Sequence, residues 1–447
     1  MFYYLIAALG FIFVFGLVVF VHEGGHFLLA RLNGVEVEAF ALGMGPPLFS
    51  YAPGETEYRI CVVPLGGYVK LAGEDITEET DNPRAFSNQP VLRRMSVLVA
   101  GVICNILLGF LLYVPYGMVQ GEEILPPRIG FINEDMPAYG ELQIGDEVLA
   151  LNERPIERFQ DINVHNSLLG DEERRFLIRR DGEKKMVVLE PHRLEDRSIF
   201  QPTHVVGISP YLPPEIEKLG QESILRDKNF ERGDRFVKIA GTEVRSFQHF
   251  SHLLTRNRGE VEIVLERQGE QLMRTLNVPE ADEDFYDWAR KFQWEPPVPH
   301  TTYGFLESMN FALRETKNAV QLLFRGIWGL ITRRLSPDGL AGPVGIIGVT
   351  GHIATIGFWP LINFTAFLSI NLGVINILPV PVLDGGHILL SLPELVGYKL
   401  PAKAFDLANQ IGLALLLALL IMVTFFDIAR IDFVNRLFSR LSELVFG

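Results

Sequence analysis

The chain opens with an apolar run that contains no charged side chain between residues 1 and 21. The run continues to about residue 32, and Arg31 lies at its end. A helix of this length exceeds the roughly 20 residues that are needed to cross a bilayer. A secretory signal peptide would instead have a basic start, a shorter apolar core and a small-residue cleavage site. The sequence therefore predicts a spanning helix over residues 1–32, with its N-terminus outside and its C-terminal end in the cytoplasm.

Three further apolar runs, at residues 95–118, 358–387 and 407–426, predict three more spanning helices. Arg93 and Arg94 precede the first of these and place its start in the cytoplasm. By alternation, residues 33–94 and 388–406 then form cytoplasmic segments, and the long soluble stretch after the second span lies outside.

Composition narrows the class of protein further. The formal net charge of −14 argues against a nucleic-acid partner. The chain has two cysteines, Cys61 and Cys104, which is too few for a disulfide scaffold. Asn105 lies within the second apolar run, and we interpret it as a helix-packing residue.

The first apolar run ends in His22-Glu23-Gly24-Gly25-His26. Residues four apart share one helix face, so His22 and His26 can bind one metal ion. Zinc suits two imidazoles, a further protein ligand and an open position for water, although iron or cobalt could substitute in vitro. Glu23 can take a proton from that water during attack on a peptide carbonyl. The motif alone is also compatible with a structural role, but ionisable groups beside hydrocarbon are costly and are candidates for function.

The third apolar run ends at a break that contains Pro379, Pro381 and Asp384. Prolines end a helix, and irregular backbone at membrane depth must line a buried or wet cavity. The predicted topology returns this break to the cytoplasmic side, where His22 and His26 lie. Asp384 is either an interfacial loop carboxylate or the missing third metal ligand, and the shared depth favours the ligand.

Residues 57–70 have β-rich character with a central Pro-Leu-Gly-Gly turn signal. They predict a hairpin whose exposed edge could hold a substrate as an added strand. An ordinary cytoplasmic hairpin is the alternative that the pattern alone favours. The acidic residues 74–81 are interpreted as a solvated loop.

Residues 120–200 and 201–282 contain a duplication. Gly145-Asp146 and Phe159-Gln160 in the first copy parallel Gly233-Asp234 and Phe247-Gln248 in the second. Each copy then has paired strands that turn at Asp-Gly or Gln-Gly. The pattern resembles the PDZ domain, whose groove binds a peptide as an extra strand. The second copy departs from it at Asn229-Phe230, and both peptide binding and steric gating remain open.

Residues 296–357 predict amphipathic helices at the periplasmic interface, with a packed connector as the alternative. Within them, residues 339–351 are Gly-rich and predict an irregular or re-entrant stretch. The tail at 427–447 is predicted to be amphipathic and interfacial. The predicted fold class is an α-helical polytopic membrane protein with four transmembrane helices, a membrane-associated β-hairpin loop and two periplasmic PDZ-like α+β domains.

The whole chain resembles the site-2 protease family of intramembrane zinc metalloproteases. The resemblance rests on His22-Glu23-x-x-His26, on Asn376-x-x-Pro379-x-Pro381-x-Leu383-Asp384-Gly385, and on the order of spans and PDZ-like repeats. It implies that His22, His26 and Asp384 bind Zn2+ and that Glu23 is the general base. It also implies that substrate is handled by two groups of residues. These are Asn376, Pro379 and Pro381 at the break, and Tyr58, Arg59, Ile60, Cys61 and Val62 in the β-loop.

The resemblance further implies regulated intramembrane proteolysis in a bacterial inner membrane. The substrate would be a pre-clipped single-span protein, such as an anti-sigma factor remnant in sigma-E signalling, or a leftover signal peptide. The PDZ-like pair would lie in the periplasm, and the active site would lie in the lipid bilayer towards the cytoplasm. The competing hypotheses are a non-catalytic membrane adaptor that binds peptide tails and a metal transporter. A transporter would need polar groups in several spans, and the fourth span offers almost none.

Overall fold

The computed structural model describes residues 2–74, 80–193, 204–220, 223–280, 288, 291–332 and 342–429. Most of the predicted acidic loop and nearly all of the predicted tail lie outside these residues. The chain divides into two compact units. We call them the helical unit (residues 1–121, 302–328 and 336–447) and the repeat unit (residues 122–301 and 329–335).

The α-helices of the described residues, in chain order, are α1 (Phe2–Leu32), α2 (Val91–Val119), α3 (Phe159–Leu168), α4 (Ile224–Asp227), α5 (Phe247–Arg256), α6 (Phe305–Ile331), α7 (Pro343–Ile356), α8 (Phe358–Asn376), α9 (Asp384–Ser391) and α10 (Ala402–Ala429). The strands are β1 (Val37–Tyr51), β2 (Glu57–Leu71), β3 (Glu122–Glu123), β4 (Ile129–Ile132), β5 (Glu147–Leu151), β6 (Arg154–Pro155), β7 (Arg174–Arg180), β8 (Glu183–Leu189), β9 (His192–Arg193), β10 (His204–Val205), β11 (Ile208–Pro210), β12 (Lys218–Leu219), β13 (Arg235–Ile239), β14 (Thr242–Glu243), β15 (Gly259–Arg267), β16 (Glu270–Val278), β17 (Trp294–Glu295) and β18 (His300–Thr301). Short 3-10 segments cover Phe86–Asn88 and Leu392–Val396.

Four described helices are long and apolar enough to cross a membrane, namely α1, α2, α8 and α10. Their positions agree with the four predicted apolar runs. The third differs in length, because α8 ends at Asn376 and not at residue 387. Pro379 and Pro381 follow that end, and neither can continue the hydrogen-bonding pattern of a helix.

Small residues allow α2 to pack closely against both α1 and α8. A Cβ added at Gly25 would lie 2.7 Å from the carbonyl oxygen of Ala100, and one at Gly373 would lie 3.0 Å from that of Val102. Such contacts are typical of membrane helices, which associate through close packing. As a result, the histidine-bearing part of α1 lies directly against α2.

The strands β1 and β2 are long, and each bends near its middle. Residues 37–42 of β1 pair with residues 67–71 of β2 on one side and with residues 57–60 on the other, and residues 47–51 of β1 pair with residues 58–61 of β2. The prediction of a self-paired hairpin within residues 57–70 is therefore wrong. Its two arms, residues 57–60 and 67–71, are separated by the first part of β1. Residues 57–60 therefore have a strand neighbour on both sides.

The repeat unit contains two similar sheets, ordered β6-β5-β7-β8 and β14-β13-β15-β16. The predicted turns are confirmed, because Gly182 connects β7 to β8 and Gly269 connects β15 to β16, both with positive φ. The Gly-Asp motif has the same contact in each copy. Asp146 binds Arg180, and Asp234 binds Arg267, in each case through both carboxylate oxygens. Each duplicated aspartate therefore joins the ends of the two central strands of its sheet.

Both copies extend beyond their predicted boundaries at residues 200 and 282. β11 pairs with β4, and β17 pairs with β12. A strand from after each predicted boundary thus completes its copy, and sequence periodicity does not reveal these short pairings.

The Gly-rich segment before residue 351 is helical from Pro343 onwards, so the predicted irregular backbone is wrong there, while the re-entrant alternative stays a prediction. The carboxylate of Asp427, on α10, accepts the backbone N–H groups of Gly342 and Gly345 at 3.0 and 2.8 Å. An acceptor from a distant helix therefore stabilises the start of α7. A Cβ at Gly351 would lie 2.9 Å from Cβ of Ala7, so α7 also packs on α1.

One face of α6 packs within the helical unit through Phe311, Ala312 and Ala319, in a core shared with α2 and α8. Leu306 and Leu313 on the same helix are 73% and 61% exposed. The helix is thus a packed connector that also presents apolar side chains on its surface.

Candidate metal centre and active site

His22 and His26 occupy successive turns of α1 and point to one place. Their Nε2 atoms are 3.2 Å apart, and their ring planes are nearly perpendicular at 86°. His22 is only 7% exposed. A buried imidazole pair with converging nitrogens needs a shared partner, because two neutral acceptor nitrogens gain nothing from facing each other.

Asp384 is the first residue of α9 and reaches the same place. Its Oδ2 lies 3.4 Å from Nε2 of His22 and 3.5 Å from Nε2 of His26. The glycines that follow make this position accessible, because a Cβ at Gly385 or Gly386 would overlap the backbone of the preceding loop. The loop after α8 therefore folds tightly over the start of α9 and holds the carboxylate against α1.

These three ligand atoms fit a zinc ion. Zinc bonds of about 2.0–2.2 Å in a tetrahedral arrangement place ligand atoms roughly 3.3–3.5 Å apart. The observed separations are 3.2, 3.4 and 3.5 Å. Among the described residues, Oδ2 of Asp384 is buried and has no hydrogen-bond partner. An ion bound at this point would satisfy it, and three protein ligands leave a fourth position open for catalysis.

The backbone and side chains of α2 orient both imidazoles. Nδ1 of His26 lies 2.9 Å from the carbonyl oxygen of Val97, which can only accept, so Nδ1 carries the hydrogen and Nε2 is free to bind metal. Nδ1 of His22 lies 3.3 Å from the side-chain amide of Asn105. Gly101 lies under both rings, where a Cβ would be 2.8 Å from Cε1 of each histidine. Neither Val97 nor Gly101 carries a motif, and only the crossing of α1 and α2 identifies them.

A cavity of about 260 Å³ opens beside the three ligands. Glu23 and Asn376 both line it. Nδ2 of Asn376 lies 3.0 Å from Nε2 of His22, so this amide can reach groups bound next to the ligands. The structure thus brings together Glu23, Asn376 and the three candidate ligands, as the sequence predicted.

The predicted substrate-binding strand lies elsewhere. Residues 58–62 do not line the cavity, and residues 57–60 are paired on both sides. Gly67, Tyr68, Val69 and Leu71 line it instead, and within the described chain they have a strand neighbour on one side only. The backbone edge next to Glu23 is therefore formed by residues 67–71, and the substrate role of Tyr58, Arg59, Ile60, Cys61 and Val62 remains an untested prediction.

The two prolines of the break also lie outside the cavity lining, which the neighbouring Val382 and Leu383 form. A Cβ at Gly412 of α10 would be 2.7 Å from Cβ of Pro381, so this proline packs against α10. We interpret both prolines as shaping the loop that presents Asp384.

Glu74, the first residue of the predicted solvated loop, is exposed and also lines the same cavity as Glu23. It follows the edge strand directly, and its carboxylate accepts the backbone N–H of Leu71 at 3.3 Å. The site therefore contains a further carboxylate that no motif indicated.

Comparison with known proteins agrees with this geometry. The model of peptidase family M50 matches residues 10–419 of the chain. A Clostridium acetobutylicum protein, provisionally named as a zinc metalloprotease, is 30% identical over 419 residues, which cover 93% of this chain and 96% of that protein. The zinc metalloprotease RasP of Bacillus licheniformis is 29% identical over 448 residues, which cover 95% of this chain and 99% of that protein. With its apolar helices, the chain therefore belongs to peptidase family M50, the site-2 proteases, and is a multi-pass membrane zinc metalloprotease.

Proposed function

We propose that this enzyme cuts single-span membrane proteins within the membrane after another protease has removed their external domain. The observation that carries the proposal is the position of the three ligands. His22 lies on an apolar helix long enough to span a bilayer, and the free edge of residues 67–71 lies beside it. A soluble substrate would need neither feature.

The roles of the residues follow from their positions. His22, His26 and Asp384 would hold the metal ion, which would act as a Lewis acid on the carbonyl and lower the pKa of a bound water. Glu23 accepts a proton from the attacking water and returns it to the amide nitrogen as the C–N bond breaks. Asn376 donates a hydrogen bond from Nδ2 to the negative charge that develops on the carbonyl oxygen.

A transmembrane substrate must first lose part of its helix. Its carbonyls are engaged in internal hydrogen bonds, and breaking them in a dry environment is costly. An extended substrate segment that pairs with residues 67–71 recovers some of these bonds and places the scissile peptide next to Glu23.

This strand assignment can be tested by cross-linking. In a chain whose two native cysteines are replaced by serine, Tyr68→Cys should form disulfides with a cysteine placed near the scissile bond of the substrate. Ile60→Cys is the matched control on the interior strand, and it is the more telling because Ile60 is 51% exposed. Cross-linking at residue 60 and not at residue 68 would instead support substrate binding at residues 58–62, as predicted from the sequence.

The proposed setting is that of the RseP type (regulator of sigma-E protease) in the bacterial inner membrane. Anti-sigma factor remnants and leftover signal peptides are the proposed substrates. We assign the two PDZ-like copies to the periplasm, where they exclude substrates whose external domain is intact. Arg31, Arg93 and Arg94 support this orientation, because basic residues mark the cytoplasmic ends of spans.

The decisive experiment compares wild type with Glu23→Gln, purified at full length in detergent. Both should bind about one zinc per chain, and cleavage of a pre-clipped single-span substrate should fall by about 10²–10⁴-fold in the variant. Glu74→Gln is the matched control, since it removes the carboxylate of the cavity that is neither the proposed base nor a proposed ligand, and it should retain most activity. Equal cleavage by Glu23→Gln would refute the assignment of the base. Equally fast cleavage of a substrate with its external domain intact would refute the proposed gating.

A further inference from the structure

Asn105 is fully buried on α2 and contacts a candidate metal ligand. Its amide nitrogen Nδ2 lies 3.3 Å from Nδ1 of His22, and the residue has no exposed surface. Its Oδ1 is buried and has no hydrogen-bond partner among the described residues. A buried amide oxygen without a partner costs free energy, so this arrangement needs an explanation.

The chemistry of the imidazole supplies one. A histidine that binds metal through Nε2 must carry its hydrogen on Nδ1. An amide N–H facing Nδ1 would enforce the opposite tautomer, with the hydrogen on Nε2, where it would block the metal. Rotating the amide by half a turn exchanges its oxygen and nitrogen without moving other atoms. The unpartnered Oδ1 then accepts the Nδ1–H group of His22.

We infer that Asn105 is a positioning residue, which fixes the tautomer and ring orientation of His22 by accepting a hydrogen bond from its Nδ1 through Oδ1. The inference rests on the proposed role of His22 as a metal ligand. It gives the two histidines equivalent supports, because His26 already donates from Nδ1 to the carbonyl oxygen of Val97 at 2.9 Å. One support is a backbone carbonyl and the other is a side chain, so only the second can be removed by substitution.

The surroundings hold Asn105 in place from the opposite side. The hydroxyl of Ser369, on α8, donates to the backbone carbonyl oxygen of Asn105 at 2.8 Å, and Ser369 is itself fully buried. This bond fixes the backbone of α2 but leaves the amide untouched. Ser369→Ala therefore offers a control that disturbs the same neighbourhood and spares the bond to His22.

The test measures metal binding, not only activity. The full-length protein is purified in detergent, stripped of metal and titrated with zinc against a competing chelator. Asn105→Leu keeps the branched shape of the side chain and removes the acceptor, and it should weaken zinc binding by about 10- to 100-fold, as loss of such outer contacts does elsewhere. Asn105→Asp keeps an acceptor oxygen and should bind zinc within about threefold of wild type. Ser369→Ala should match wild type.

Cobalt substitution provides a second measurement, because the visible absorption of bound Co2+ reports its coordination geometry. The spectrum should change in Asn105→Leu and stay close to that of wild type in Asn105→Asp. Wild-type zinc affinity in Asn105→Leu would overturn the inference, as would equal weakening by the Leu and Asp variants. If Asn105→Leu does not fold, zinc binding by Asn105→Asp is the deciding measurement. Loss of zinc from folded Asn105→Asp overturns the inference.

His22→Ala separates this inference from the assignment on which it rests. It should lose zinc more completely than Asn105→Leu does. If His22→Ala binds zinc like wild type, His22 is not a ligand and both conclusions fail. If His22→Ala loses zinc while Asn105→Leu retains it, only the role of Asn105 is refuted.

Discussion

Gly101→Ala should damage the metal centre without replacing any of the three candidate ligands. The added Cβ would lie 2.4 Å from Nε2 of His26 and 2.8 Å from Cε1 of each histidine. Carbon atoms in contact prefer at least about 3.5 Å, so both rings must move by at least roughly 0.7 Å. Zinc sites tolerate errors of only about 0.2 Å in ligand distance. The displacement exceeds that tolerance, and zinc affinity should fall by at least about 10-fold.

The assay is a chelator competition on the full-length protein in detergent, with cleavage of a single-span substrate followed in parallel. Gly16→Ala is the matched control, because it lies in α1 and its new Cβ would meet nothing within 4 Å. Alanine favours a helix over glycine by about 1 kcal/mol, so neither substitution should weaken its own helix. Zinc affinity in Gly101→Ala equal to that of Gly16→Ala would refute this account of how α2 supports the site.

Further predictions concern other contacts. Glu394→Gln breaks the buried ion pair with Arg94 and should lower the free energy of unfolding by about 3 kcal/mol in denaturant titrations. A loss below about 1 kcal/mol would contradict the idea that the variant leaves the Arg94 charge buried and unpaired. Asp427→Asn leaves one of two backbone N–H groups without its acceptor, so amide exchange at Gly342 or Gly345 should accelerate about 10-fold; unchanged exchange would contradict the capping role. Burial and the charge of Arg245 lower the pKa of His249 in the repeat unit. As the pH falls below about 6.5, the unfolded chain therefore binds more protons than the folded chain. Acidification should then reduce the protection of α5 against amide exchange, and His249→Phe should reduce this pH dependence. A strong chelator should abolish cleavage and lower the melting temperature, and added zinc should restore both; cleavage that persists in the chelator would argue against a metal mechanism.

The metal centre was predictable because its signals are local. His22 and His26 are four residues apart on a helix, so helical periodicity alone puts their side chains on one face. Asp384 required one further step, since the alternation of apolar runs predicts the side of the membrane on which the break falls. Both the helical spacing and the order of apolar runs can be recognised in the sequence without knowledge of tertiary contacts.

The supports of the site were not predictable in this way. From the sequence, Asn105 is indistinguishable from any polar packing residue in a spanning helix. Its contact with His22 depends on how α1 crosses α2. The edge strand was misassigned for a similar reason, because the first part of β1 comes between two segments that are neighbours in sequence. The helix α7 was missed because its start is stabilised by Asp427, which is distant in the chain.

The order in which the ligands occur has a consequence for biosynthesis. Asp384 lies 358 residues after His26 in the chain, so a nascent chain has two ligands long before it has the third. Two imidazoles alone hold zinc weakly, and closing so long a loop requires that α8 and α9 are already in place. On the proposed ligand assignment, the protease should therefore stay inactive until α1, α2 and α8 have been synthesised, and only the span α10 follows Asp384. The order of synthesis should thus protect these three earlier spans from premature cleavage.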